Sequence, residues 1–228
     1  MAAAVDSSSI SSNPWTSGAG PISWSHVASA DSGLQNTIGL VFTAYESLPA
    51  AAAPTWGGAA MTLVNDAFAG LGGVYSVYAI VNPTYSTSGT TISFDWSTGT
   101  SYHNGIAVLL TGANQSAILD AYGDASQSAS GTFAAALTTI ADNCLVLCFV
   151  YNTGGATVSA GANTTMLSGT GESITSGRAN SVTTPAGSTT LNFSRAGTPN
   201  WYGVLVSIAP AAGAAPKRQS NLLLMGVG

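Results

Sequence analysis

Short segments rich in β-branched and aromatic residues recur along the chain, and clusters of Gly, Pro, Asn or Ser bound most of them. This alternation of apolar segments and turns is typical of β-strands. Helical periodicity is scarce, and the one candidate helix, 114–121, is weakened by Gly112 before it and Gly123 after it. We predict strands at 22–29, 37–45, 61–65, 74–82, 90–97, 105–111, 131–138, 144–152, 157–160, 173–182, 189–194 and 201–208.

Two kinds of apolar pattern occur within these strands. In 91–96, the side chains of Ile92, Phe94 and Trp96 alternate with polar residues, which predicts one buried and one solvated face. The runs 106–110 and 145–150 show no alternation and are expected to be central strands covered on both faces. Many short strands without alternating helices predict an all-β fold, an antiparallel two-sheet sandwich of jelly-roll type.

The composition changes near both ends of the chain. Residues 1–21 are rich in Ser, Gly and Asn, which predicts an N-terminal arm or loop. The β-sandwich domain is expected over 22–210, and 211–228 is expected to be a linker followed by a C-terminal tail. No internal repeat of 20 to 50 residues is visible in the sequence.

The chain combines ample apolar residues with very little charge. Of its 228 residues, 46% are hydrophobic and 6% are charged, against about 25% charged in typical domains. The hydrophobic content is sufficient for a folded core, but so few charges give little repulsion between copies. We therefore expect a homo-oligomer or a component of a larger particle.

The sign and placement of the few charges exclude two classes of partner. The net charge is −5, and the only cations are Arg178, Arg195, Lys217 and Arg218, which form no basic stripe. We therefore predict no nucleic-acid binding and no electrostatic membrane anchor. No uninterrupted apolar stretch is long enough for a spanning helix, and residues 1–10 lack the basic and apolar regions of a secretory signal.

Cys144 and Cys148 are the only cysteines, and both fall in one apolar run. Four residues of strand separate two Cα atoms by about 13 Å, whereas a disulfide needs less than about 7 Å. We therefore predict that the two thiols are unpaired and buried, as free cysteines commonly are.

Motifs for catalysis, metals and cofactors are missing. The nucleophile elbow, the phosphate-binding loop and the zinc-protease motif do not occur. The two histidines, His26 and His103, have no second metal-ligand type at a useful spacing, and we interpret them as loop or rim residues. The sequence predicts a protein that is not an enzyme and that has no cofactor and no metal.

Three acidic residues are the remaining candidates for a catalytic or metal-binding role. Asp95 lies on a predicted strand beside Trp96 and is interpreted as a solvated or hydrogen-bonded strand residue rather than an acid catalyst. Asp120 and Asp124 lie four residues apart and are interpreted as turn formers, with a weak calcium loop as the alternative.

Tryptophan content keeps a carbohydrate-binding interpretation open, since aromatic rings in a sandwich can stack on sugars. Trp24, Trp96 and Trp201 lie within predicted strands and are expected in the core. Trp15 and Trp56 are less constrained by the pattern and are the candidates for glycan contact.

Five segments stand out along the chain: PTWGGAAMTLV (54–64), VYAIVNP (77–83), GTTIS (89–93), LTGANQS (110–116) and WYGVLVSIAP (201–210). Their order resembles a family of β-sandwich proteins from tailed bacteriophages and bacteria. The resemblance covers most of 22–210. It implies a virion structural protein, such as a capsid decoration protein, head fibre or tail component, and it brings no catalytic residues.

The implied partners are the protein itself, with a trimer expected by analogy, and the major capsid protein or other virion proteins. The implied location is the virion, assembled in the host cytoplasm. The alternative is a carbohydrate-binding module or adhesin on a tail fibre or a bacterial surface.

The C-terminal tail is predicted to be a docking arm. Pro210 and Pro216 interrupt strand pairing, because proline donates no ladder hydrogen bond. Two cations and an apolar strip follow: Lys217, Arg218, Leu222, Leu223, Leu224, Met225 and Val227. The alternative is that this strip folds back as an edge strand on its own domain.

Overall fold

The computed structural model describes residues 2–10, 16–17, 21–46, 53–69, 73–94, 102–154, 156–169 and 173–212. Within these ranges every strand pairing is antiparallel and no helix is present, which confirms the all-β prediction. No described segment therefore offers a helix that could span a membrane.

The candidate helix at 114–121 is wrong. The side-chain Oδ1 of Asn114 accepts hydrogen bonds from the backbone N–H groups of Ser116, at 2.9 Å, and Ala117, at 3.4 Å. Such Asx turns compete with helical hydrogen bonding. A strand then begins at Ala121.

The first half of the chain forms ten strands. They are β1 (Ala4–Ile10), β2 (Thr16–Ser17), β3 (Ile22–His26), β4 (Ile38–Glu46), β5 (Thr55–Trp56), β6 (Ala59–Ala60), β7 (Thr62–Ala69), β8 (Gly73–Val81), β9 (Thr90–Phe94) and β10 (Tyr102–Thr111). Inner sheet 1 has the order β1-β10-β4-β8-β7, with β2 also paired to β10. Outer sheet 1 has the order β3-β9-β5-β6.

The second half forms eight strands. They are β11 (Ala121–Gln127), β12 (Thr132–Thr138), β13 (Leu145–Asn152), β14 (Ser159–Ala160), β15 (Thr164–Ser168), β16 (Ile174–Ala179), β17 (Ser188–Ser194) and β18 (Trp201–Ile208). Inner sheet 2 has the order β11-β18-β13-β16-β15, and outer sheet 2 has the order β12-β17-β14.

The two halves have the same topology. In each, the first strand pairs with the last, and most successive strands alternate between the inner and the outer sheet, which is the jelly-roll pattern. The equivalent outer strands even share a sequence: Thr-Thr-Ile-Ser-Phe at 90–94 corresponds to Thr-Thr-Leu-Asn-Phe at 189–193. The chain is therefore two similar sandwich units in tandem, offset by about 99 residues. This period is longer than the 20 to 50 residues of common repeat proteins.

The predicted sandwich is thus confirmed, but with four sheets in place of two. The first unit also includes β1, which lies in the region expected to be an arm or loop. Strands β11 and β15 were not predicted either. All three are edge strands, and an edge strand needs less apolar sequence than a central one because it has a single neighbour.

The inner sheets pack face to face, and this explains the two continuous apolar runs. On β4 and β10, Phe42 and Val108 point towards inner sheet 2, whereas Val41 and Leu109 point towards outer sheet 1. On β13, Phe149 points towards inner sheet 1, whereas neighbouring residues such as Val150 point towards outer sheet 2. Both runs are fully covered, as predicted.

The interface between the two units has approximate two-fold symmetry. β1 and β7 of the first unit are equivalent to β11 and β15 of the second. β1 lies beside β15 and β7 lies beside β11, so the two contacts are related by exchange of the units. At the centre the rings of Phe42 and Phe149 stack with centroids 5.2 Å apart. Near one end, Ala113 and Pro210 form an antiparallel bridge, so the connection after β10 runs beside the segment that follows β18. Such a self-complementary arrangement is characteristic of two-fold dimers.

Glycines at equivalent positions allow the aromatic cores to form. A Cβ added to Gly105 on β10 would lie 2.7 Å from the ring of Trp24, and one added to Gly203 on β18 would lie 2.9 Å from the ring of Phe133. The rings of Trp24 and Phe133, one from each outer sheet, therefore pack directly against the backbone of these glycines in the inner sheets. Trp24 and Trp201 are both in the core, as predicted, whereas Trp96 lies outside the described residues.

Candidate functional site

A chain of polar side chains joins β1 to β3. Ser7 Oγ donates to Asp6 Oδ2 at 3.1 Å and lies 3.0 Å from Nε2 of His26. On the other side of the imidazole, Ser9 Oγ lies 2.8 Å from Nδ1 and accepts the indole N–H of Trp24 at 3.0 Å. These five residues, Asp6, Ser7, Ser9, Trp24 and His26, are called the polar relay below.

The directions of the hydrogen bonds in the polar relay follow from its two ends. The indole N–H can only donate and the Asp6 carboxylate can only accept. Because the Ser7 hydroxyl proton goes to Asp6, Ser7 accepts Nε2–H of His26. A neutral imidazole then has an unprotonated Nδ1, which accepts the hydroxyl proton of Ser9.

The environment of His26 keeps it neutral. The side chain is 1% exposed, and its ring lies against Trp56 with centroids 4.8 Å apart. Burial lowers the pKa of His26 from 6.5 to about 4, although the negative charge of Asp6 acts in the opposite direction. The interpretation of His26 as a loop or rim residue is therefore wrong, because it closes strand β3 and is buried between β1 and the Trp56 ring.

Ser9, His26 and Asp6 resemble the components of a hydrolase site, but their chemistry favours a structural role. A general base works best when its pKa lies near the operating pH, and the pKa of His26 is far below neutrality. The oxygen of Ser9 is already engaged by the Trp24 indole. The polar relay instead satisfies buried polar groups and attaches β1 to outer sheet 1.

An apolar groove lies where the two units meet along β7 and β11. It has a volume of about 470 Å³ and is lined by Val64, Ile118, Leu119, Asp120, Ala121, Tyr122 and Ile140. Of these side chains, Tyr122 and Ile140 are 62% and 76% exposed. Leu63, which is on β7 but outside the lining, is 47% exposed. Clustered exposed side chains of this size are unusual and commonly mark an interaction surface. The cluster is called the β7/β11 groove below.

Asp120 builds one wall of the β7/β11 groove. Its carboxylate accepts the backbone N–H groups of Ile140 and Ala141, each at 2.8 Å, and the hydroxyl of Ser207 at 3.2 Å. It therefore fixes the loop carrying Ile140 against inner sheet 2, which agrees with turn formation. Asp124 is exposed on β11, and no group of three potential metal ligands occurs among the described residues.

The β7/β11 groove was missed by the sequence interpretation. Ile118 and Leu119 were assigned to a short helix, and Ile140 is an isolated apolar residue in a polar loop. An isoleucine in an otherwise polar turn sequence is the one local signal that could have pointed to the site. The meeting of β7 with β11 follows only from the packing of the two units.

Trp56, one of the two candidate residues for glycan contact, is not accessible to a ligand. Trp56 is fully buried, and its indole N–H donates to the carbonyl oxygen of Thr84 at 2.7 Å. The expectation that it offers a free ring is wrong, because strand β5 pairs with β9 and turns the ring into the core of the first unit. Trp15 lies outside the described residues, as do Asp95 and the docking-tail residues Lys217, Arg218, Leu222, Leu223, Leu224, Met225 and Val227.

Both cysteines are free and buried, as predicted. Burial raises the pKa of Cys144 to about 11 and raises the pKa of Cys148 still further. Cys144 lies next to Asp120 at the start of β13, and its thiol donates to the carbonyl oxygen of Ala141 at 3.1 Å. Neither sulfur is in the state of a reactive thiolate at neutral pH.

Comparisons with known proteins add no relative: no family model, no curated protein and no solved structure matches the chain.

Proposed function

We propose that the protein is a non-enzymatic structural component of a larger protein assembly, and specifically an accessory virion protein such as a capsid decoration protein. The sequence resemblance supplies the virion class, and the physical character of the surface supplies the assembly role. The localisation that follows is the virion, with assembly in the host cytoplasm.

The β7/β11 groove is the observation that carries the proposal. Both strands are at the edge of their sheets, each with one hydrogen-bonded neighbour among the described strands. A free edge presents unpaired backbone N–H and C=O groups, and soluble proteins commonly protect such edges with charge. Here the edges carry the exposed side chains of Leu63 and Tyr122, with Asp124 as an exposed charge on β11. Free edges with exposed apolar side chains are suited to a surface that another protein covers in an assembly.

The use of the polar side chains supports the same proposal. His26 is held in the polar relay, and the Asp120 carboxylate accepts hydrogen bonds from three donors. Asp31, which is exposed, accepts from Ser86 and Thr87, and these hydrogen bonds lower its pKa. These polar groups stabilise turns and hold neighbouring strands together in a protein with few charges.

Purification of particles tests the proposed function. The expected result is that the protein copurifies with virions or capsids at a fixed number of copies per particle, measured by quantitative mass spectrometry after density-gradient centrifugation. Absence from particles, combined with retention of specific sugars on a glycan array, would replace the proposal by the carbohydrate-binding alternative.

A further inference from the structure

We propose that the β7/β11 groove of one copy binds the C-terminal segment 217–228 of a second copy. The proposal rests on the proposed function, because it names the contact through which copies of an assembly protein hold one another. The occupant is thus a part of the same polypeptide in a neighbouring molecule.

The chemistry of the segment is complementary to that of the groove. The segment contains Leu222, Leu223, Leu224 and Met225, which match an opening lined by Val64, Ile118, Leu119, Tyr122 and Ile140. Burial of such side chains is the main favourable contribution to most protein association. Lys217 and Arg218 precede the apolar strip, and the acidic residues Asp120 and Asp124 lie at the groove and on the adjoining strand.

The free edges allow the segment to bind with its backbone as well as its side chains. A peptide that adds to a sheet edge gains main-chain hydrogen bonds, while alternate side chains enter the adjacent pocket. The segment 217–228 contains no proline, so each of its residues has a backbone N–H to donate. β7 and β11 each have one neighbour among the described strands and so offer an edge for this pairing, although the carbonyl oxygen of Gly123 on β11 already accepts the side-chain amide of Asn65 at 3.4 Å.

The path of the chain favours a neighbouring molecule over the same one. After β18, the N–H of Ala211 donates to the carbonyl oxygen of Gly112 at 2.7 Å, beside the bridge between Ala113 and Pro210. The two segments are antiparallel, so the last described residues, 211 and 212, run in the opposite direction to 113–114, where the connection that leads to the β7/β11 groove begins.

The opposite edge of the interface, where β1 lies beside β15, suits the segment less well. A smaller cavity of about 200 Å³ lies there, lined by the start of β1, by Leu145 and Val182, and by polar residues that include Arg178 and Asn180. Arg178 would repel Lys217 and Arg218. Leu222 follows Ala212 by ten positions, a length of chain that can extend about 35 Å away from the folded units.

Three variants of the full chain test the proposal. Ile140→Arg introduces a cation into the groove at an exposed position, and deletion of 217–228 removes the occupant. Val27→Arg is the matched control, because Val27 is 51% exposed and follows β3 of outer sheet 1. Sedimentation velocity over a range of concentrations should show self-association of the wild type and of Val27→Arg. Ile140→Arg and the deletion should each raise the dissociation constant by about a hundredfold or more.

Mixing the two defective proteins distinguishes binding between copies from binding within one copy. The Ile140→Arg protein retains its segment and the deletion protein retains its groove, so the mixture should form a one-to-one complex although neither associates alone. Unchanged melting temperatures of both variants ensure that the losses are not caused by unfolding. A mixture that stays monomeric overturns the proposal, as does a monomeric wild type in which the deletion increases protease access to Tyr122.

The result also separates this inference from the proposed function. If the deletion protein still copurifies with particles in normal amounts and self-association is absent, the segment–groove contact is wrong and the assembly role stands. If the wild type self-associates through the segment but is absent from every particle preparation, the contact stands and the virion role is wrong.

Discussion

Protonation of His26 should destabilise the folded protein between pH 7 and pH 4. In the unfolded chain the imidazole has its ordinary pKa of 6.5, whereas burial lowers the folded-state pKa to about 4. The unfolded state therefore binds a proton more readily throughout this interval, and the free energy of unfolding falls as the pH falls. The contribution is fully present above pH 6.5 and is lost as the pH approaches the folded pKa.

The size of the effect follows from the two pKa values of His26. One pKa unit corresponds to about 1.4 kcal/mol, so this single group should reduce the free energy of unfolding by about 2 kcal/mol at about pH 5 and by about 3 kcal/mol at about pH 4. Within the protein, protonation would place a second donor on Nδ1 and force Ser9 to reverse its hydroxyl. Among the described residues, Asp6 is the charged group that acts on the His26 imidazole, and its attraction to the imidazolium is already included in the net shift of the pKa.

Urea unfolding followed by tryptophan fluorescence measures this dependence at a series of pH values from about 7.5 to about 5. Most carboxylates remain ionised over this range, so their titration contributes little to the slope. His26→Gln should lower stability overall but remove most of the pH dependence. An equal slope in wild type and His26→Gln would refute the assignment of a buried neutral histidine.

Three further predictions concern packing, hydrogen bonding and thiol reactivity. Gly203→Ala should lower the free energy of unfolding by about 1 to 3 kcal/mol, because its Cβ would lie 2.9 Å from an aromatic ring; Gly187→Ala, with no atom closer than 3.8 Å, should change it by under about 0.5 kcal/mol, and equal effects would contradict the packing. Asp120→Ala should cost about 1 to 3 kcal/mol in thermal or urea unfolding, since it leaves two backbone N–H groups without their carboxylate partner, and a neutral substitution would contradict this. Cys144 and Cys148 should resist a thiol reagent at about pH 8 in the native protein and react completely after unfolding; rapid native labelling, or a crosslink between them, would show that the burial is wrong.

The sequence by itself determined the central strands and the fact that both of their faces are covered. A side-chain period of two is a local property, so alternation at Ile92 and Phe94 was sufficient to identify their buried face. Continuous apolar runs at 106–110 and 145–150 correctly indicated strands with both faces covered. The separation of Cys144 and Cys148 by four extended residues likewise excluded a disulfide without any tertiary information.

Only the tertiary structure decided how many sheets there are and where the edges meet. The equivalence of the two units lies mainly in strand order, because jelly-roll packing constrains burial and chirality more strongly than it constrains residue identity. β1 and β11 carry few of the residues that favour strands, and they are ordered by pairing with β10 and β18 respectively.

The same distinction explains the sites. His26 and Trp56 are separated by thirty residues, and nothing near either one in sequence shows that their rings meet in the core. The β7/β11 groove combines β7, the connection after β10 and the loop before β13, which are distant along the chain. Local pattern specifies which residues need burial or solvent, whereas long-range packing alone determines which of them lie together at a surface.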